Sequence, residues 1–315
     1  MRSFASDPRI LGWYLNEEPT GQTYVDMERS GRHDLMAERY RAFVDRKAAI
    51  KAMDPRHPVF LLDGSDIPPG ESAWWDTWNS SGDVTAHDNY PLRPWTEDLE
   101  ALAQSVSRAV HLNAERKPVW ITLQAFGGAP GLSPPARIPT PEELRGMAFT
   151  AIIHGATGLI LFAYDSWATR EGNVIGIAPE TAEGYGKGAS ATPPQAAQSR
   201  ALWAGATALN AELARLAPRI LSPTARLAYE VSFSGSARTS SPIRTILKET
   251  DGGYTLLAAN LEGRPLGASY RFRRNIESVR RLNPEGTVTL VTPGGAEFRD
   301  ALGAFGAAVY EIRLR

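Results

Sequence analysis

The amino-acid sequence predicts an α/β fold of the (β/α)8 TIM-barrel type, followed by a small antiparallel β-sandwich. Two observations support this prediction. Up to about residue 217, five short apolar runs alternate with longer segments of helical periodicity, and each run ends in polar or aromatic residues. Beyond that point, short alternating segments separated by turn residues take over. We therefore predict a barrel-type domain over 1-217 and a sandwich domain over 218-315.

The apolar runs are predicted strands because each is short and bounded by turn or charged residues. They cover 10–15, 58–63, 83–87, 118–123 and 158–163. Apolar residues at helical spacing predict helices over 34–53, 71–78, 96–114, 140–153 and 194–216. Since a crossover helix returns the chain in the same direction, we expect the strands to pair in parallel.

An open doubly wound sheet and a barrel both fit this alternation. Neither a P-loop nor a GxGxxG pattern follows any strand, so phosphate-binding glycines do not separate the two. Polar side chains at the ends of several strands are typical of barrel enzymes, which favours a barrel.

The C-terminal part differs in composition as well as in pattern. All eight Trp residues precede residue 204. A turn at Asp251-Gly252-Gly253 separates predicted strands over 245–248 and 254–259, and further strands are predicted over 268–272, 287–291 and 307–313. This pattern predicts the sandwich.

Composition and motifs exclude several classes of protein. The 34 Lys+Arg and 35 Asp+Glu residues give a net charge of -1, which argues against a nucleic-acid-coating protein. With 0 Cys there is no disulfide, thiolate metal site or cysteine nucleophile. No HExxH pair or GxSxG elbow is present, and we predict no metal or cofactor. No apolar run reaches the roughly 18 residues of a membrane span, and the first ten residues lack the features of a signal peptide.

The strongest local signal is Glu17-Glu18-Pro19, at the end of the first apolar run. Two adjacent carboxylates there are costly unless a partner or a reaction uses them. An apolar wall of Trp13 and Tyr14 would raise the pKa of a nearby carboxyl, which would then be able to protonate a leaving oxygen.

The segment GWYLNEEP at 12–19 resembles the fourth-strand motif of retaining glycoside hydrolases of the large (β/α)8 clan, in particular the β-galactosidase-like branch. The resemblance implies that Glu18 is the general acid/base. A shifted alignment pairs Asn16 with Glu17 and gives Glu17 that role.

The resemblance continues downstream in the same order. The segments 87–91, 117–122 and 155–167 resemble the sixth to eighth strands, and 257–261 and 305–310 resemble strands of the following sandwich. The implied sugar-binding residues are Asn16, Trp13, Asp63, His87, Asn89, Tyr90, Gln124, Tyr164 and Trp167. Trp74, Trp75 and Trp78 fit either sugar stacking or a helix core.

Two departures from the family pattern matter. Where the family's seventh strand carries a glutamate nucleophile, this chain has Leu123 and Gln124, so we expect the second carboxylate to be Asp88 or Asp165. Direct attack requires carboxyl groups about 5–5.5 Å apart, and a water-mediated route about 6.5–9.5 Å. In addition, the first three βα units have no counterpart. This leaves a truncated barrel, a barrel completed by a partner chain or a second copy, or a fold that departs from the closed barrel, and we expect one of the first two.

These observations predict a glycoside hydrolase acting on an oligosaccharide or glycoside, with no nucleic-acid or membrane partner. The alternatives are a carbohydrate-binding pseudoenzyme and an inactive barrel remnant, both motivated by Leu123 and Gln124.

Overall fold

The computed structural model describes residues 4–5, 7–65, 67, 70–96, 98–114, 116–128, 135–168, 172–178 and 191–315. These form two compact units. The first unit contains Met1–Tyr90, Ala103–Leu123 and His154–Ile160, and the second contains Pro91–Leu102, Gln124–Ile153 and Leu161–Arg315. Among the described residues, no helix is both long and apolar enough to cross a bilayer.

Parallel strands and their crossover helices make up most of the first unit. The strands are β1 (Trp13–Glu17), β2 (Val59–Leu62), β3 (Thr85–Asn89) and β4 (Val119–Gln124). The helices are α1 (Pro19–Ser30), α2 (Leu35–Met53), α3 (Ser72–Ser81) and α4 (Glu100–Leu112). The pairs β1–β2 and β3–β4 are parallel, and a parallel bridge from Asp63 to His87 connects β2 to β3. The predicted parallel pairing is thus confirmed for these strands.

The helices of this unit cover the sheet through their apolar faces. Met36 and Phe43 of α2, Leu61 of β2 and Trp78 of α3 form one buried cluster, with Trp74 packed against it. Of the other α3 tryptophans, Trp75 is also buried. The sequence left sugar stacking and a helix core as alternatives for this segment. In the structure, Trp75 and Trp78 belong to the core.

The second unit begins with short strands and two helices. These elements are β5 (Gly127–Gly128), α5 (Pro141–Ile153), β7 (Trp167–Ala168), β8 (Asn173–Ile175) and α6 (Pro193–Ile220). The strands β5, β8 and β7 form a small antiparallel sheet. Strand β6 (Gly158–Phe162) follows α5, and its residues up to Ile160 belong to the first unit, where the strand order is β3-β4-β6.

The C-terminal part of the second unit consists of two antiparallel sheets that share a hydrophobic core. Its strands are β9 (Tyr229–Ser234), β10 (Ile243–Thr250), β11 (Gly253–Asn260), β12 (Leu266–Phe272), β13 (Ile276–Leu282), β14 (Val288–Val291), β15 (Glu297–Leu302) and β16 (Ala307–Leu314). The sheet orders are β10-β11-β16-β13-β14 and β15-β12-β9. Tyr270 and Phe298 of the smaller sheet pack their rings against Tyr310 of the larger one.

Several element boundaries differ from the sequence expectation. Strand β1 begins at Trp13 and runs to Glu17, because the backbone of Trp13 is the first to bond to the neighbouring strand segment, at Pro58. Helix α1 was not predicted, although Pro19 at its first position is favourable there. Helix α6 continues through Pro218 to Ile220, so that proline does not end the helix.

Candidate functional site

Glu18 connects β1 to α1 in an unusual backbone conformation. Its φ of 39° and ψ of 49° place it in the left-handed region, which costs a residue with a Cβ about 1–2 kcal/mol. Its N–H donates to the carbonyl of Leu62 at 2.6 Å, and Pro19 begins the helix directly afterwards. The end of β2 and the start of α1 therefore hold the Glu18 backbone in place.

Asp63 follows β2 and is fully buried beneath the start of α1. Its carboxylate accepts from the N–H of Thr20 at 3.2 Å, from Thr20 Oγ1 at 2.6 Å and from the N–H of Gly64 at 3.1 Å. Burial outweighs these hydrogen bonds and, with a further contribution from the charge of Glu18, raises the pKa of Asp63 to about 6. Thr20 was not singled out from the sequence.

Asp88 on β3 forms a hydrogen bond with the side chain of Glu18. Gly64 lies beside both carboxyl groups, since a Cβ there would stand 3.8 Å from Glu18 Oε1 and 3.9 Å from Asp88 Oδ1. Burial, and then the charge and hydrogen bond of Glu18, raise the pKa of Asp88 well above its ordinary range, against a smaller opposing effect of a hydrogen bond from Tyr90. With a pKa of about 8, the Asp88 carboxyl retains its proton at neutral pH.

Two tyrosines contact this group of carboxyls. Burial, together with the charge of Asp88, raises the pKa of Tyr90. Tyr14 is 47% exposed and stacks on Phe60 at 5.5 Å between ring centroids. Burial and the charge of Glu17 raise the pKa of Tyr14 as well. Both phenols thus remain protonated at neutral pH.

The predicted residues of the first unit do not all lie at one place. Glu18, Asp63 and Asp88 come together, because the parallel strands β1, β2 and β3 end at the same edge. Trp13 instead donates through Nε1 to Asp54 at 2.8 Å, and Asn16 Oδ1 accepts from Arg46 at 3.4 Å.

Two more predicted residues of this unit face protein neighbours. Asn89 donates to Ser105 at 3.3 Å. His87 is fully buried and packs edge-on against Trp75 at 5.7 Å between ring centroids. Burial lowers the pKa of His87 to about 4, so the imidazole is neutral. None of the surface of His87 is accessible, and its expected sugar contact stays a prediction.

Gln124, in the second unit, is engaged on both sides of its amide. Oε1 accepts from the N–H of Leu92 at 2.8 Å, and Nε2 donates to the carbonyls of Leu92 and Arg137 at 3.0 and 2.8 Å. The side chain is fully buried. Gln124 therefore connects two loop segments through its amide, and its expected contact with a sugar hydroxyl stays a prediction.

The other predicted residues of the second unit follow β6. Tyr164 is 52% exposed and contacts Trp203 edge-on at 5.6 Å. Asp165 is half-buried, and Trp167 on β7 packs against Phe162 at 5.7 Å. Among the residues that the structure describes, no group of three or more His, Asp and Glu side chains is arranged to hold a metal ion.

As pH rises, the titrations of Asp63 and His87 are expected to change the free energy of unfolding in opposite directions. Unfolded Asp63 ionises near 3.8 but folded Asp63 near 6, so the folded state binds more protons between these values and loses stability as pH rises. Unfolded His87 binds a proton below 6.5 but folded His87 only near 4, so stability rises over that range.

Substituting Asp63→Asn removes the first contribution, together with the small part of the raised pKa of Asp88 that comes from the Asp63 charge. We expect the free energy of unfolding to rise more steeply between pH 4 and 6.5 than in the parent, by on the order of 3 kcal/mol over the titration. Denaturant unfolding at a series of pH values measures this dependence of the free energy of unfolding on pH. Asp45→Asn, at an exposed position of α2, is the control, and equal slopes for the two variants would contradict the expectation.

The fold was compared with solved structures. It is similar to the structure of an apo exo-carrageenase GH42 from Bacteroides ovatus, with a TM-score of 0.58 and 10% sequence identity. The match covers 89% of this chain but only 55% of that one, so the chain spans about half the length of that enzyme. At this identity the similarity concerns the fold alone.

Weaker similarities involve an Anoxybacillus alpha-amylase (TM-score 0.48, 12% identity, 88% of this chain and 56% of that chain) and Eubacterium rectale Amy13B (TM-score 0.48, 10% identity, 100% and 62%). We base no argument on these. No protein-family model matches the sequence, and neither does any curated protein.

Proposed function

We propose that the chain hydrolyses glycosidic bonds and that the Glu18–Asp88 pair supplies the proton to the leaving oxygen. The observation that carries this proposal is that the two carboxyls lie side by side at Gly64, where burial and then the charge and hydrogen bond of Glu18 raise the pKa of Asp88 to about 8. A general acid must be protonated at working pH, and burial beside a second carboxyl is a recognised way to achieve this. The similarity of the fold to an exo-carrageenase supports the reaction class.

Glu18 is the member of the pair that contacts substrate in this proposal. It is less buried than Asp88, which is only 5% exposed. Asp88 passes its proton to Glu18 after each transfer and regains one from the water that attacks the sugar, which closes the proton balance of the hydrolysis. The exposed ring of Tyr14 offers an apolar surface on which a sugar ring can stack.

Asp88 does not fit the role of the second carboxylate. Its hydrogen bond to Glu18 places the two groups in direct contact, whereas the opposed carboxyls of glycosidases stand about 5–9.5 Å apart. Glu17, which is exposed and whose charge contributes to the raised pKa of Tyr14, is a candidate within the first unit. Asp165 is a candidate from the sequence, and Asp165→Asn tests it in the same assay as Glu17→Gln.

The experiment is hydrolysis of a panel of aryl glycosides, galactosides included, by the chain and by Glu18→Gln in parallel. We expect turnover on at least one sugar, reduced by about 10²–10⁴ in the variant. A folded chain with no turnover on any sugar would refute the hydrolase proposal.

A carbohydrate-binding pseudoenzyme is the second candidate, favoured by one observation. Gln124 stands where the resembled family has its nucleophile region, and its amide is fully used by main-chain groups. A binding protein would retain affinity for a saccharide in calorimetry, and Glu18→Gln would change that affinity only modestly.

We further propose a barrel-type domain over 1-217 and a β-sandwich over 218-315, with the barrel completed by a second copy or a partner chain. In the described part of the chain β1 pairs with β2 alone, which leaves its other edge open. A second copy predicts a dimer mass by light scattering of the purified chain, and a partner chain predicts a monomer mass. A cooperative, monodisperse monomer with full turnover would contradict both forms of completion.

A further inference from the structure

A cavity of about 260 Å³ lies in the second unit between α6 and the β13–β14 hairpin. Three guanidinium groups line it, from Arg215 and Arg219 on α6 and from Arg280 on β13. None of these residues belongs to the group proposed to perform hydrolysis. We propose that this cavity binds a tetrahedral oxyanion, namely a sulfate or phosphate group.

The carboxylates around the cavity do not neutralise all three guanidiniums. Glu212 is only 2% exposed and is already paired at 2.7 Å with both Nε and Nη2 of Arg145. Glu311 is shared between two cations, because Oε1 accepts from Arg219 and Oε2 lies 3.2 Å from Arg280. One carboxylate thus serves two arginines of the cavity.

Arg215 is the third cation, and its hydrogen bond goes to the carbonyl of Pro284. A carbonyl accepts a hydrogen bond without cancelling the positive charge. The neighbouring carboxylate of Glu285 accepts from the hydroxyl of Thr287. This hydrogen bond lowers the pKa of Glu285 more than the charge of Arg215 does. The cavity is therefore left with an excess of positive charge.

A glycine turn lies beside Arg215 in the cavity lining. Gly286 has a φ of 96°, and a Cβ there would stand 3.5 Å from Arg215 Nε, which is ordinary van der Waals contact. A side chain at this position would be strained by the backbone conformation. Guanidinium groups carry donors in a fixed fork that matches the oxygens of sulfate and phosphate. The cavity volume is several times the roughly 30 Å³ that a water molecule occupies, so a hydrated oxyanion fits.

The test is isothermal titration calorimetry of the chain with sodium sulfate and with inorganic phosphate, in chloride buffer of matched ionic strength. We expect a Kd of about 1 mM or tighter. A monosaccharide sulfate ester forms a third titration. Tighter binding of the ester would identify the ligand as a sulfated sugar, and equal or weaker binding would identify the free ion.

Three variants make the test specific. Arg215→Gln is expected to weaken binding by about tenfold or more, since it removes the cation whose charge is not matched. Arg273→Gln removes an exposed charge after β12, outside the cavity lining, and is expected to leave the Kd within about twofold. Glu311→Gln removes the shared carboxylate and is expected to tighten binding several-fold. Absence of binding to every anion, or equal weakening in Arg215→Gln and Arg273→Gln, would overturn the proposal.

Discussion

Glu18→Gln is expected to lose activity in proportion to the basicity of the leaving group. Glycosides of alkyl alcohols need a proton on the departing oxygen, so their kcat/KM falls by about 10²–10⁴. Dinitrophenolate is a stable anion and leaves without a proton. For glycosides of dinitrophenol, the kcat/KM of the variant is therefore expected to remain within about tenfold of the parent. The ratio of the two effects separates a general acid from a residue that only supports the fold.

Glu17→Gln is the matched control for this prediction, because it removes the adjacent carboxylate of the same chain segment. If Glu18 is the acid, Glu17→Gln does not show the dependence on leaving group. If the dependence is found in Glu17→Gln instead, the shifted alignment that pairs Asn16 with Glu17 is correct. A uniform loss on all leaving groups in Glu18→Gln would contradict the proton-transfer role.

Much of the first unit could be predicted because local patterns determine it. The apolar runs and the helical spacing indicate strands and helices in the correct order, and parallel pairing follows from the crossovers. The position of Glu18 after a strand was also evident from the sequence. What was missed there is α1, because the segment after Pro19 has only a weak apolar face, with Pro19, Thr20 and Thr23 as its buried residues.

The contacts within the site could not be predicted, since they depend on register between strands. Glu18 and Asp88 are seventy positions apart, and their hydrogen bond exists because β1, β2 and β3 end together. Gln124 shows the same limit. A polar residue at the end of a strand suggests a binding site, but only the structure reveals that Leu92 and Arg137 occupy its amide.

Breaking the buried ion pair between α5 and α6 is expected to have the largest effect on stability. Arg145 binds Glu212 through two hydrogen bonds of 2.7 Å, donates to the carbonyl of Ala307 at 2.6 Å, and lies 4.5 Å over the ring of Phe149. Arg145→Met leaves the almost fully buried Glu212 without its counter-charge. We expect a loss of about 3–5 kcal/mol in the free energy of unfolding.

The double variant Arg145→Met, Glu212→Leu distinguishes a stranded charge from lost packing. Because no ion is left behind, we expect it to recover a large part of the loss, less about 1–3 kcal/mol for the unbonded carbonyl of Ala307. Arg271→Met breaks an exposed pair with Glu297 in the same unit and is expected to cost about 1 kcal/mol or less. Urea unfolding measures the free energy of unfolding of Arg145→Met, of the double variant and of Arg271→Met. If the double variant is as unstable as Arg145→Met, packing and the bond to Ala307 hold the two helices, and the stranded charge of Glu212 does not explain the loss.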